Sequence, residues 1–269
     1  MTRTITELGP REAEFLAMMA GAARDVFTFE QAERFWGARP TTRNVLSRLE
    51  SKGWLERLER GKYMLIPLEA GVGREWSEDP LVIGSFLAPS GAAAYWTAVR
   101  HWGWTTQLPR TQFFIATKRR LNPDKTILGV SYRFVILKSH RVFGIAEEWV
   151  GGLPIRVTDR ERTIVDILDR PDLAGGISEV SETLTRAWRE IDVARLTEYV
   201  ERFGSGTVPK RLGYLAEILA LSAPEHHLRR WQSLKGSGVT RLERGGPDEG
   251  PIISRWGLRI NSGASEAKR

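Results

Sequence analysis

Side chains do chemistry only when their types and spacing let them converge, and two stretches of this sequence raise that question. The first is TDRERTIVDILDRP, Thr158 to Pro171, with carboxylates at Asp159, Glu161, Asp166 and Asp169. Carboxylates gathered on one face could hold Mg²⁺ or Mn²⁺ for work on a phosphodiester. Their spacing favours a structural role. Thr158 followed by Glu161 fits a capping box, Asp159 puts negative charge at a helix start, and Ile164, Val165, Ile167 and Leu168 supply a buried side. Asp166 and Asp169 share a face with Arg162 and Arg170, as surface ion pairs do. A nuclease of the restriction type would carry Glu-x-Lys on the preceding strand, and LPIRVT lacks it. The histidines are His101, His140, His226 and His227, and an adjacent pair on a helix points two ways, which is poor geometry for a metal. Cysteine is absent, which removes disulfides, thiolate nucleophiles and Cys-based zinc sites. There is no P-loop, dinucleotide glycine pattern or His-Glu-x-x-His. No catalytic residue, metal site or cofactor is expected.

The second stretch is PTTRNVLSRLESKGW, Pro40 to Trp54. At about 100° per residue, Val45, Leu46 and Leu49 fall on one arc of a helix, which is its core face. Opposite lie Arg43, Asn44, Ser47, Arg48 and Ser51, with Glu50 and Lys52 at the margins. A merely solvated face usually mixes charge signs at four-residue spacing, and this one holds no acid. Long cationic donors, a bidentate amide and short hydroxyls suit phosphates and base edges in a major groove. Thr41 and Thr42 sit at the helix start, where backbone N–H groups favour a phosphate. From Arg39 to Lys62 there are seven basic residues, Arg39, Arg43, Arg48, Lys52, Arg57, Arg60 and Lys62, against the acids Glu50, Glu56 and Glu59. Arg60 and Lys62 flank a turn after the helix. The cluster Lys118, Arg119 and Arg120 follows a β-run and is a candidate extension of the same footprint.

The elements that must position this face are legible around it. GPREAEFLAMMAGAA reads as a helix with Phe15, Leu16, Met18 and Met19 on its stripe, and TFEQAERFWG as a second helix with Thr28 as N-cap and Gly37 as stop. WLERLERGKYMLIP reads as a hairpin turning at Gly61. Three helices and a hairpin in this order predict a winged helix-turn-helix over residues 1–70. LEAGVGREWSEDP supplies a linker, placed at 71–79, and residues 80–260 predict a larger mixed α+β domain. Within it, PLVIGSFL and SGAAAYWTAVRHWG read as helices, the latter capped by Ser90 and stopped by Gly103. TQFFIAT, VSYRFVILK, EEWV and LPIRVT read as strands, with Gly151-Gly152 turning between the last two. Helical spacing dominates from TDRERTIVDILDRP through PKRLGYLAEILAL, and residues 261–269 read as a tail. The fold class expected is therefore α+β, a winged helix followed by a small sheet and several helices.

The bulk properties agree with a soluble chain that meets a polyanion. The 269 residues carry a formal net charge of +7, the sign expected for nucleic-acid contact. No run approaches the roughly 18–20 apolar residues of a membrane span, and the N-terminus lacks a signal-type apolar core, which predicts a cytoplasmic location.

In order and spacing, LESKGWLERLERGKYMLIP, SGAAAYWTAVRHWGWTTQLP and VTDRERTIVDILDRPDLAGG resemble the AbiEi family of bacterial antitoxins, the partner components of type IV toxin-antitoxin systems. The resemblance spans roughly residues 5–220. It implies a repressor that binds inverted repeats of double-stranded DNA in its own promoter, two copies per operator, and opposes a nucleotidyltransferase-like toxin without a stable complex. By position, it puts DNA contacts on Arg43, Asn44, Ser47 and Arg48 of the helix and on Arg60 and Lys62 of the wing. Two rivals use the same winged helix: a ligand-responsive repressor without a toxin, and a nucleic-acid processing enzyme targeted by it.

Overall fold

The computed structural model describes residues 8–22, 25–67, 70, 78–117 and 122–261. The expected cluster Lys118, Arg119 and Arg120, most of the 71–79 linker and nearly all of the 261–269 tail lie outside the described residues. The protein is α+β, and it divides into two compact units: one runs to Leu87 and includes Trp149–Pro154, and the other holds Ala88–Glu148 and Ile155 onward.

The first unit is a winged helix. Its order is α1 (Pro10–Gly21), β1 (Val26–Thr28), α2 (Phe29–Trp36), α3 (Arg39–Ser51), β2 (Leu55–Glu59), β3 (Lys62–Leu65) and α4 (Pro80–Leu87). Proline opens α1, and its buried side is Glu12, Phe15 and Met19, while Met18, expected on the stripe, is exposed. The reason is angular: residues 12, 15 and 19 share one side of a helix, and 18 lies about 100° from 19. Thr28 caps α2 as expected, in a reciprocal pair: its hydroxyl accepts from Gln31 N–H and the Gln31 side chain accepts from Thr28 N–H. The sheet order is β1-β3-β2, antiparallel throughout. Strand β1 went unread in the sequence because it is three residues long and runs straight into a helix cap. Phe15, Phe27, Trp36, Val45, Leu46, Leu49, Leu55 and Leu65 form the core that fixes α3 on the hairpin.

The second unit joins a mixed sheet to a helical body. Strands β4 (Ala92–Ala93), β5 (Thr111–Ala116), β6 (Asp124–Ile127), β7 (Val130–Ile136), β8 (Ile145–Val150) and β9 (Leu153–Thr158) lie in the order β6-β7-β5-β4-β9-β8. The helix expected from Ser90 to Gly103 is a correction. Only α5 (Trp96–His101) is helical, and Ala92–Ala93 form one of the sheet's two central strands, antiparallel to β5 and parallel to β9. Small residues allow this: a Cβ on Gly91 would lie 1.8 Å from Ile115 O, and Ala92, Ala93 and Ala94 are fully buried. Tyr95, at φ +54°, turns the chain from strand to helix.

After β9 come α6 (Arg160–Asp169), α7 (Ile177–Ala187), α8 (Val193–Phe203), α9 (Val208–Ile218) and α10 (Glu225–Leu234), then the short strands β10 (Thr240–Arg241), β11 (Ile252–Ile253) and β12 (Leu258–Arg259). Their core runs from Ile164 and Leu168 through Leu184, Leu196 and Leu212 to Trp231 and Trp256. Sequence reading took α6 through α9 as helical and described neither α10 nor the last sheet.

Candidate nucleic-acid interface

Helix α3 is built to leave one face uncovered. Val45, Leu46 and Leu49 are buried, while Thr41, Arg43, Asn44, Ser47, Arg48 and Ser51 are exposed. The acid-free face expected from the sequence is therefore a real surface. Thr42 is a correction: it is fully buried, three residues before Val45 on the core stripe, and its hydroxyl donates to Ala38 O at 3.1 Å. Its N–H makes the ordinary first helical bond to the N-cap carbonyl of Ala38, and Pro40 has no N–H, so the helix start offers one donor fewer than a generic N-terminus.

The two edges of this face differ. Toward the wing, Arg39 and Arg43 of α3 meet Arg57 of β2 and Arg60 of the β2–β3 turn around a concavity of about 530 Å³, with Phe29, Tyr63, Gly61 and Glu30 in its wall. Gly61 takes φ +75° at the turn, and its carbonyl accepts from Phe29 N–H at 2.8 Å, which ties the wing to the start of α2. Arg39 stacks 5.4 Å over the Phe29 ring and pairs with Glu33 at 3.6 Å. Among the described residues, Arg43, Arg57 and Arg60 form no ion pair and no side-chain hydrogen bond. Three converging guanidiniums without an ion-pair partner repel one another, with Glu30 the one carboxylate in the wall, and make a site that an anion relieves.

Lys62, expected as a second wing contact, turns away from this concavity. Its ammonium donates to Phe86 O at 2.9 Å and Leu87 O at 3.1 Å, and pairs with Glu59 at 3.1 Å. It thus satisfies the last carbonyls of α4, which any helix end leaves open. Arg57 is the opposite case. It was counted among the basic residues but not as a contact, and the signal for it is its place as an outward residue of β2 between buried Leu55 and Leu58.

At the far edge stands a residue the sequence reading passed over. Glu12 of α1 is nearly buried, and its carboxylate takes Arg48 Nε at 2.7 Å, Lys52 Nζ at 2.8 Å and Gly9 N–H at 3.1 Å. Burial by itself would raise its pKa, but the hydrogen bonds from Lys52, Gly9 and Arg48 and the charge of Lys52 outweigh it and hold Glu12 at about 2. A carboxylate three and seven residues from Phe15 and Met19 on the apolar stripe was the available signal.

Each carboxylate of Thr158–Pro171 is engaged by a donor of the protein, Asp169 by the Ser205 hydroxyl at 2.9 Å. The N-cap of α6 is Asp159, which accepts from Arg162 N–H at 2.9 Å, in place of the Thr158–Glu161 capping box expected. Glu161 instead accepts from Asp192 N–H at 2.9 Å. Asp166 does pair with Arg162, but both are wholly buried and not on a surface, and Arg170 pairs with Asp172. Among the described residues no group of three or more His, Asp or Glu side chains is placed to hold a metal ion, and no helix is long and apolar enough to cross a membrane.

A three-helix core, a two-stranded wing and an exposed basic face define the N-terminal unit as a winged helix-turn-helix of the DNA-binding type. Residues 14–66 match the family model described as transcriptional regulator, AbiEi antitoxin, so the resemblance read from the sequence holds over that segment. No curated protein matches the chain. Among solved structures it is similar to the RV2827C protein from Mycobacterium tuberculosis, with TM-score 0.66 and 18% identity over 95% of this chain and 93% of that one. At this identity the likeness speaks for the fold, which extends over both units.

Proposed function

We propose that this protein is a cytoplasmic DNA-binding antitoxin that represses its own operon, acts by binding and not by catalysis, and opposes a nucleotidyltransferase-like toxin. The carrying observation is the ring of Arg39, Arg43, Arg57 and Arg60 around one concavity beside the acid-free face of α3. In this reading the concavity seats backbone phosphate, Asn44, Ser47 and Arg48 reach base edges, and Thr41 approaches the backbone, while Ser51, exposed but donating its hydroxyl to Arg48 O at 2.8 Å, offers no donor to a phosphate. Thr42, Lys52 and Lys62 are left out of the contact set, since their side chains are committed inside the unit. The family description of residues 14–66 supports the regulatory role. The toxin, the inverted repeats and two copies per operator follow from the family resemblance.

A gel-shift titration on the DNA upstream of its own coding sequence tests the reading. Replacing Arg43 and Arg57 together by Ala should weaken binding by at least tenfold and flatten the salt dependence by about two phosphate contacts. Unchanged affinity would remove the concavity from the interface. Co-expression with the neighbouring reading frame tests the antitoxin role: growth inhibition by that frame should be relieved by this chain, and a failure of relief sinks that half of the proposal.

A further inference from the structure

The two basic residues at the C-terminal end of the α3 face are not equivalent. Arg48 is 55% exposed at its side chain and Lys52 only 19%, and both are gripped by one carboxylate that is itself 6% exposed. The grip on Arg48 is made through Nε, the nitrogen nearest its stem. Among the described residues, its two terminal nitrogens make no hydrogen bond. A guanidinium held in this way has one rotational freedom removed and an outward edge of paired N–H groups. That edge matches the O6 and N7 acceptors of guanine in a major groove, the commonest base-specific contact of arginine. The grip on Lys52 is terminal, on the ammonium itself, so its charge is consumed within the protein.

We propose that Glu12 of α1 is the positioning residue for sequence readout: it aims Arg48 at a guanine of the half-site and withholds Lys52 from the phosphate backbone. This rests on the DNA-binding reading above. Glu12 touches no DNA itself. It converts one of two neighbouring cations from a sequence-independent attraction into a directed donor, and it keeps the other silent. A freely rotating Arg48 would meet phosphate and base alike, because an unrestrained cation is drawn first to the nearest negative charge. The buried carboxylate also ties α1 to α3, so the aim of Arg48 is set by the core and not by a loop.

The test uses the full chain and two duplexes, the DNA immediately upstream of its coding sequence and a scrambled duplex of the same length and composition, titrated at several salt concentrations. Glu12→Gln should lower the ratio of the two affinities by about tenfold. Its affinity for the scrambled duplex should hold or tighten, since every cation stays in place and one buried negative charge is removed. Arg48→Lys keeps the charge and loses the fork, so it should lower the ratio similarly. The double variant should be no worse than either single one, which is the mark of two residues acting through one contact. Lys52→Met should change neither the ratio nor the salt dependence, and it serves if Glu12→Gln fails to fold. A merely structural Glu12 would weaken both duplexes alike and leave the ratio where it was. An unchanged ratio in Glu12→Gln, or a salt dependence lowered by Lys52→Met, overturns the proposal while the DNA-binding reading stands. Wild-type protein that binds neither duplex overturns that reading and this inference with it.

Discussion

Glu12 shows how much a single residue can decide. Three hydrogen bonds converge on a carboxylate that the core of the winged helix has nearly sealed from water, and they hold its pKa at about 2 against an ordinary value of 4.5. An acid whose folded pKa is depressed contributes stability that is complete above its unfolded pKa and is lost as pH falls toward the folded one. The contribution of Glu12 is therefore present at pH 7 and disappears between pH 4.5 and about 2. Glu12→Gln is expected to destabilise the protein by about 1–3 kcal/mol at pH 7, with the difference from wild type vanishing near the acid end of that window. Denaturant unfolding of both proteins across the range measures it, and a pH-independent difference would assign the effect to packing instead. Arg43, Arg57 and Arg60 behave in the opposite sense. Left without ion-pair partners, they do little for the folded state, and their replacement should cost binding far more than stability.

At the scale of an element, α6 carries a wholly buried ion pair. Arg162 Nε and Nη2 both bond Oδ1 of Asp166, at 2.9 and 2.8 Å, while Nη1 donates to the carbonyls of Arg141 and Phe143. The guanidinium also lies 4.6 Å over Phe143 and 4.8 Å over Phe203. Burial pushes Asp166 up from 3.8 to about 6, and Arg162 opposes without cancelling it. A raised acid holds its proton more tightly in the folded state, so stability from this group is greatest below 3.8 and declines as pH rises through about 6. Thermal melting across that window should show the decline in wild type and a flatter profile in Asp166→Asn. Arg162→Met leaves the carboxylate alone in the core and should cost about 3–5 kcal/mol. A loss under 1 kcal/mol would mean that water reaches the pair.

For the whole molecule, Arg211 of α9 does what no local element could. It donates to Leu168 O at 2.7 Å at the end of α6 and to Arg241 O and Leu242 O at 3.0 Å beside the last small sheet, joining chain segments far apart in sequence. Burial lowers its pKa only to about 10, so it stays charged. Arg211→Met should leave four carbonyls, those of Leu168, Asp169, Arg241 and Leu242, without its guanidinium donors and lower stability by about 3–5 kcal/mol, with hydrogen exchange rising first at residues 240–260. Uniform exchange across the unit would contradict a local tie. The net charge of +7 is spread over the chain, and the concavity of α3 and the wing gathers four of its arginines at one place.

Much of this was legible in one dimension because periodicity is a local property. The apolar arcs of α3 and of α6 through α9, the cap at Thr28, the Gly61 turn and the acid-free face follow from residues within a few positions of one another. The elements that escaped have little local signal. β4 is a pair of alanines inside an apparently helical run, and its strand character comes from β5 and β9 on either side. Thr42 and Lys62 looked available because residue type alone suggests a donor, and only packing reveals the commitments to Ala38 and to the end of α4. By itself, then, the sequence determined that a winged helix would form and which side of its third helix would face outward, since helix geometry maps spacing onto faces. Which cations remain unpaired on that side, and that a carboxylate 36 residues away would hold Arg48, only the tertiary structure decided. An ion pair depends on distance in space, and the chain's local pattern holds no record of it.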